Sequence, residues 1–340
     1  MIYKNIDIHN CRELCRNDET GLYQMSRVPL ELNDKIAGNA FQDSGVELRF
    51  VPTDDEIRIV LRTQNDYAVR VLIYFGSIQS GWKQLYKTVN PTPTEIVIKK
   101  PGNPELLQKI TDENHLPFSP NVVRVVLNNG IYEIGDVTGN CRPPKDDEIP
   151  SRRYLAYGSS ITHGSLAMVQ PNTYVSRVGE AFGADVLNMG FAGNARLEPE
   201  MAEYIANDCC FDFATIEMGI NILDIDCDDF ENRVRNFVST IARAHSDKPI
   251  FCTDVFYMHL DMEQGDLPDC KPRAFREIVK RVTGELDLPN VTYICGTDLM
   301  CGSRFLSQDG THPNARGMEE ISKNLIKIIK TKTNLNIERK

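Results

Sequence analysis

A single tryptophan stands among 340 residues, and none of the ten cysteines forms a C-x-x-C pair. No apolar run approaches the roughly 18 residues of a membrane span. Each absence excludes something. Without such a run no transmembrane segment is expected. The opening residues, MIYKNIDIHN, lack the basic flank and apolar core of a secretory signal. The expected location is therefore the cytoplasm, where thiols stay reduced. Cys11 and Cys15 lie four apart and Cys209 and Cys210 are adjacent, spacings that match no zinc motif. Most of the cysteines are expected to act as buried small hydrophobes. Positive charge is also short. With 38 Lys and Arg against 48 Asp and Glu the net charge is -10, which argues against nucleic acid or an anionic membrane as partner.

What is present is an ordinary globular composition, 41% hydrophobic and 25% charged, in a chain long enough for two domains. Before about residue 140 the chain reads as strands: Val46–Phe50, Ile57–Leu61, Val69–Tyr74, Ile96–Ile98 and Val122–Leu127. Short β-branched runs split by Gly, Pro, Asn and Asp predict an antiparallel sandwich or jelly roll, with no amphipathic helix interrupting it. The segment TGNCRPPKDDEIPS, residues 138–151, reads as an interdomain linker, so residues 1–140 form an accessory domain and 141–151 the linker. From 152 to 335 the grammar alternates. Tyr154–Tyr157, Asp185–Asn188, Phe213–Met218, Ile250–Thr253 and Val291–Cys295 suit a buried parallel sheet. Helical periodicity lies between and after them, with Phe230, Val234, Phe237, Val238 and Ile241 on one face, and Met318, Ile321, Leu325, Ile328 and Ile329 on another. This pattern predicts a three-layer α/β/α domain.

Ligands of an open parallel sheet bind outside the carboxyl ends of its strands. The first strand there runs into Gly158-Ser159-Ser160-Ile161-Thr162-His163-Gly164. A serine on a tight turn past a strand can be a nucleophile if a base lies beside it, or simply a helix cap. The second ends in Asn188-Met189-Gly190-Phe191-Ala192-Gly193-Asn194, where glycine lets a main-chain N–H approach an oxyanion. The third ends in Glu217-Met218-Gly219-Ile220-Asn221, whose asparagine is either a further donor or a turn former. Asp309-Gly310-Thr311-His312-Pro313 precedes the last helix. Pro313 suits the first helical position, and Asp309 can curl back onto one ring nitrogen of His312, leaving the other for a serine proton. His163 lies on the same turn as Ser160, where converging geometry is rare. His9, His115, His245 and His259 read as structural or surface residues. Trp82, in GSIQSGW, is a core residue, a loop anchor or a platform for a sugar ring.

Taken in order, GSSIT, NMGFAGNA, EMGIN and DGTHP resemble the blocks of the SGNH (GDSL-type) hydrolase superfamily over roughly residues 151–335. YGSSITHG, LNMGFAGNARLEPEMAEYIA and MGINIL are similar to a two-domain bacterial branch of GDSL-like esterases with an N-terminal β-sandwich. The resemblance implies a flavodoxin-like parallel sheet, Ser160 as nucleophile, His312 as base and Asp309 as its orienting carboxylate. It implies an oxyanion hole of the Ser160 and Gly193 N–H groups with the Asn221 side chain, and no metal or organic cofactor. The superfamily has Asp immediately before the nucleophile, where this chain has Ser159. The expected activity is hydrolysis of short-chain acyl esters, acetyl first among them, on small molecules or carbohydrates, with Trp82 as a substrate contact. An O-acyltransferase and a non-catalytic carbohydrate-binding protein are the alternatives.

Overall fold

The computed structural model describes residues 1–36, 38–264, 270–333 and 335. The described residues divide into two compact units, Met1–Ser151 with Gly183–Asp185, and Arg152–Phe182 with the described residues from Val186 onward.

The first unit is built on two antiparallel sheets. One has the order Ile2–Tyr3, Ile6–His9, Glu47–Pro52, Val123–Val126, Val69–Phe75, Ile78–Gln79, with Cys141–Arg142 and Tyr86–Val89 pairing off this path. The other runs Thr94–Lys99, Glu56–Thr63, Tyr132–Thr138, Tyr23–Ser26, Glu13–Arg16. Period-two alternation drives both: in Glu56–Thr63 every second side chain is buried. Ile57, Ile59 and Leu61 of one sheet share a single apolar cluster with Leu48, Phe50, Val71, Ile73 and Val125 of the other. That shared core makes the unit a sandwich.

Two features of this unit depart from, or refine, the expectations. A helix spans Pro104–Asn114, against the expectation that none interrupts the strands. Only Leu107 and Thr111 of it are buried, so it lacks a wide apolar stripe; Pro104 at its first turn and the left-handed His115 after it mark its ends. The proline-rich segment after Thr138 begins as a strand, Cys141–Arg142, on Val51 and Pro52. Arg142 then holds Glu148 at 2.6 Å.

The second unit carries a five-stranded sheet in the order Ala184–Gly190, Arg152–Gly158, Phe213–Glu217, Ile250–Thr253, Val291–Ile294. Numbered along the chain this is 2-1-3-4-5, with the last four strands parallel in register. The strands Phe213–Glu217 and Ile250–Thr253 are buried at every residue, as strands covered on both faces must be. Pro199–Asp208 packs on Cys227–Ala244 and that helix on Lys271–Glu285, where Phe230 and Phe275 stack at 3.8 Å. Tyr174–Ala181 packs on Ala315–Lys332. Phe230, Val234, Phe237, Val238 and Ile241 are all fully buried. In the last helix Met318, Ile321, Leu325 and Ile329 are buried, and Ile328 is half-buried.

The end of the last helix's lead-in differs from expectation. Pro313 is not its first residue: the helix starts at Ala315, and Asn314 is its cap, accepting from Arg316 N and Gly317 N at 3.0 and 3.1 Å. An asparagine oxygen satisfies two orphan donors, which a proline cannot do. No helix among the described residues is long and apolar enough to cross a membrane.

Candidate active site

In a sheet of order 2-1-3-4-5 the strand sequence reverses between the first and third strands, and the crevice at their carboxyl ends is where such folds bind ligands. Ser160 follows the first of these strands and Glu217 ends the other. Ser159 caps the short helix Ser160–His163: its Oγ accepts from Ile161 N at 3.1 Å. The helix closes at Gly164, in a left-handed conformation, with the Gly164 and Ser165 N–H groups both on the Ser160 carbonyl at 3.0 and 2.9 Å. Gly158 must be glycine, because a Cβ there would overlap Thr162 Oγ1 and the Glu217 carboxyl.

Ser160 is buried, with 8% of its surface exposed. Its Oγ lies 2.7 Å from His312 Nε2. The other ring nitrogen, Nδ1, lies 2.7 Å from Asp309 Oδ2. Facing a carboxylate, Nδ1 carries the proton, so Nε2 accepts from the Ser160 hydroxyl. Asp309 is itself tied down: Oδ1 accepts from His312 N and Thr311 N at 2.9 Å each and from Ser307 Oγ at 2.8 Å. Burial would raise its pKa, but these N–H groups, the imidazole and the Ser307 hydroxyl outweigh it and hold the carboxyl well below the usual range.

The loop carrying these residues is braced. Ser307 N donates to the His312 carbonyl at 2.8 Å, Leu306 bridges Pro313, and His259 N donates to the Gly310 carbonyl at 2.7 Å. Asn314 turns its Nδ2 onto the carbonyls of Arg304 and Leu306 at 3.0 and 2.9 Å while it caps the last helix. The sequence reading did not single out Asn314. Its signal was available, an Asx residue directly before a helical pattern.

Gly193 sits at φ +71 with open space where a Cβ would be. The N–H groups of Gly193 and Ser160 have no acceptor among the described residues. The Asn221 amide donates one N–H to the Asn194 carbonyl, and Arg196 holds the Asn221 carbonyl at 2.6 Å. An amide nitrogen has a second N–H to give. The His163 ring meets the Gly190 carbonyl at 3.4 Å. His245 packs on Phe211 and bonds the Ile205 carbonyl at 3.2 Å. Trp82 is not a core residue: it lies in the first unit, between Ile78–Gln79 and Tyr86–Val89, and is 96% exposed. Glu217 went unnoticed in the sequence. A carboxylate ending an otherwise apolar, fully buried strand was the available signal. Among the described residues no group of three or more His, Cys, Asp or Glu could hold a metal ion.

No curated protein matches this chain. Among solved structures it is similar to a salicylyl-acyltransferase from a tetracycline biosynthetic pathway, at 18% identity and TM-score 0.76 over 98% of each chain. It is similar to a family two carbohydrate esterase from Cellvibrio japonicus, at 13% identity and TM-score 0.63 over 97% of this chain and 96% of that one. An acetyl xylan esterase from the rumen bacterium Butyrivibrio proteoclasticus aligns at 11% identity and TM-score 0.56, over 86% of this chain and 91% of that one. At these identities the likeness speaks for a shared fold. The family comes from the sequence itself: residues 151–330, more than half of the chain and the whole run that carries Ser160, Gly193, Asn221, Asp309 and His312, match the GDSL-like lipase/acylhydrolase model, and the chain belongs to that family.

Proposed function

We propose that this enzyme cleaves short-chain acyl esters through an acyl-enzyme on Ser160, with acetyl groups on carbohydrates as the favoured substrate. The observation that carries the reading is the continuous hydrogen-bonded line from Ser160 Oγ through His312 to Asp309, each step 2.7 Å. Ser160 Oγ attacks the ester carbonyl as His312 Nε2 takes its proton, and Asp309 stabilises the imidazolium. Negative charge gathers on the carbonyl oxygen, which the Ser160 and Gly193 N–H groups and the Asn221 amide receive. His312 returns the proton to the leaving alcohol. Water, activated by the same base, then releases the acid. The acetyl and sugar assignments lean on the carbohydrate esterases among the similar structures. Residues 1–140 form an accessory domain in this reading, 141–151 a linker and 152–335 the catalytic domain. The exposed indole of Trp82 suits stacking on a sugar face.

A second reading, transfer of the acyl group to an added alcohol, is favoured by the likeness to the acyltransferase over 98% of both chains. Both readings share the acyl-enzyme. A fluorophosphonate should add once, to Ser160, by intact mass and peptide mapping, and not to Ser160→Ala. An adduct on Ser159, or none, overturns the assignment, and the latter favours a non-catalytic sugar-binding role. Turnover of p-nitrophenyl esters from acetate to octanoate and of acetylated sugars, with and without an added alcohol or glycan, separates hydrolysis from transfer.

A further inference from the structure

Beneath the turn that carries Ser160 lies a carboxyl that the acyl-transfer steps do not use. Glu217 is 2% exposed, at the end of the apolar strand Phe213–Glu217. One of its oxygens, Oε2, accepts three hydrogen bonds: from Ser159 N and Ser159 Oγ at 2.7 Å each and from Thr162 Oγ1 at 3.0 Å. The other, Oε1, is buried without a hydrogen-bond partner. Burial pushes the Glu217 pKa up, against the opposing pull of the Ser159 and Thr162 donors and the nearby His312. Thr162 has one hydroxyl proton. Giving it to Glu217, it accepts from the buried Tyr174 hydroxyl, 2.7 Å away. A buried carboxyl costs free energy unless its oxygens are satisfied. Here all the satisfaction falls on one atom, and every donor to it comes from a residue flanking Ser160.

We propose that Glu217 is the positioning residue of the nucleophile: its Oε2 draws Ser159 and Thr162 together so that Ser160, between them, presents its hydroxyl to His312. This rests on Ser160 being the nucleophile. What matters is the place of an acceptor oxygen, not the charge it bears. Ser159 is then the contact through which the carboxyl grips the turn from a neighbouring strand.

Two conservative variants separate place from charge. Glu217→Asp keeps the charge but draws the oxygen back by one methylene, about 1.5 Å. Glu217→Gln keeps an acceptor at full reach and loses the charge. With p-nitrophenyl acetate, the Asp variant should lose about 10–100-fold in kcat with KM within about threefold, and the Gln variant should recover kcat to within about threefold of the parent. Cooperative melting by circular dichroism confirms that each variant is folded. If the Asp variant does not melt cooperatively, Ser159→Ala combined with Thr162→Val removes two of the three donors and takes its place, with the same expected fall in kcat. Parental kcat in that arm, or a Gln variant as impaired as the Asp variant, overturns the inference. Fluorophosphonate mapping of the parent distinguishes the two levels. An adduct absent from Ser160 removes the nucleophile assignment itself, whereas an adduct on Ser160 together with parental kcat in the Asp variant removes only the role of Glu217.

Discussion

Ser159 and Ser160 are neighbouring hydroxyls with different partners: one faces the buried Glu217, the other the half-buried His312. Ser159→Ala deletes one donor and a short helix cap, worth about 1 kcal/mol of stability, while its N–H still reaches Glu217. The variant should keep most of the esterase activity, with a lower melting temperature, where Ser160→Ala has none. An inactive but folded Ser159→Ala would mean the register of the GSSIT turn is misread. Asn221 belongs at the same scale. Its amide holds the Asn194 carbonyl and keeps one N–H, which the proposed mechanism directs at the oxyanion. Asn221→Ala should lower kcat by about 10²–10³, or roughly 2.7–4 kcal/mol, with KM little changed, because the charge it meets exists only in the transition state. A rise in KM at constant kcat would assign it to ground-state binding instead.

Strand ends are also where the second unit stores a pH dependence. Asp254 follows the strand Ile250–Thr253, fully buried, with Tyr293 Oη at 2.5 Å and Gly296 N at 2.6 Å. Burial pushes its carboxyl up to about 6, although those two donors favour the charged form. The unfolded chain releases this proton near the ordinary value of 3.8. Between these values the unfolded state binds fewer protons than the folded one, so Asp254's contribution to stability is full below about pH 4 and declines as pH rises through about 6. Asp254→Asn keeps an oxygen for Gly296 N–H and does not titrate. Its melting temperature relative to the parent should therefore climb from pH 4 to pH 6 and then level; a flat difference across that range would show that Asp254 does not hold its proton. The strands Phe213–Glu217 and Ile250–Thr253 were legible as apolar runs because strands covered on both faces leave no polar alternation to confuse them. Asp309 and His312 were legible as a pair because they are three residues apart in one loop. Helix Pro104–Asn114 was not, since one buried turn sets no period. Glu217 was not, because its partners Ser159 and Thr162 meet it only through the parallel pairing of two strands 55 or more residues apart.

At the scale of the whole molecule, each unit has its own sheets and its own core. Ser160, Gly193, Asn221, Glu217, Asp309 and His312 all belong to the unit that begins at Arg152. Residues 145–340 expressed alone should fold and hydrolyse p-nitrophenyl acetate with kcat close to that of the full chain; a folded fragment without this activity would tie the chemistry to the first unit. Trp82 leads to a consequence of another kind. It is the chain's one indole, and it is 96% exposed. Its ultraviolet emission already reports water in the native state, so denaturant should scarcely shift the wavelength maximum even as circular dichroism records complete unfolding. The fluorescence that usually follows a protein's collapse is in this chain a surface probe of a single loop. It is open to quenching by iodide, and any sugar that stacks on that ring should protect it from the quencher and move its emission to shorter wavelength.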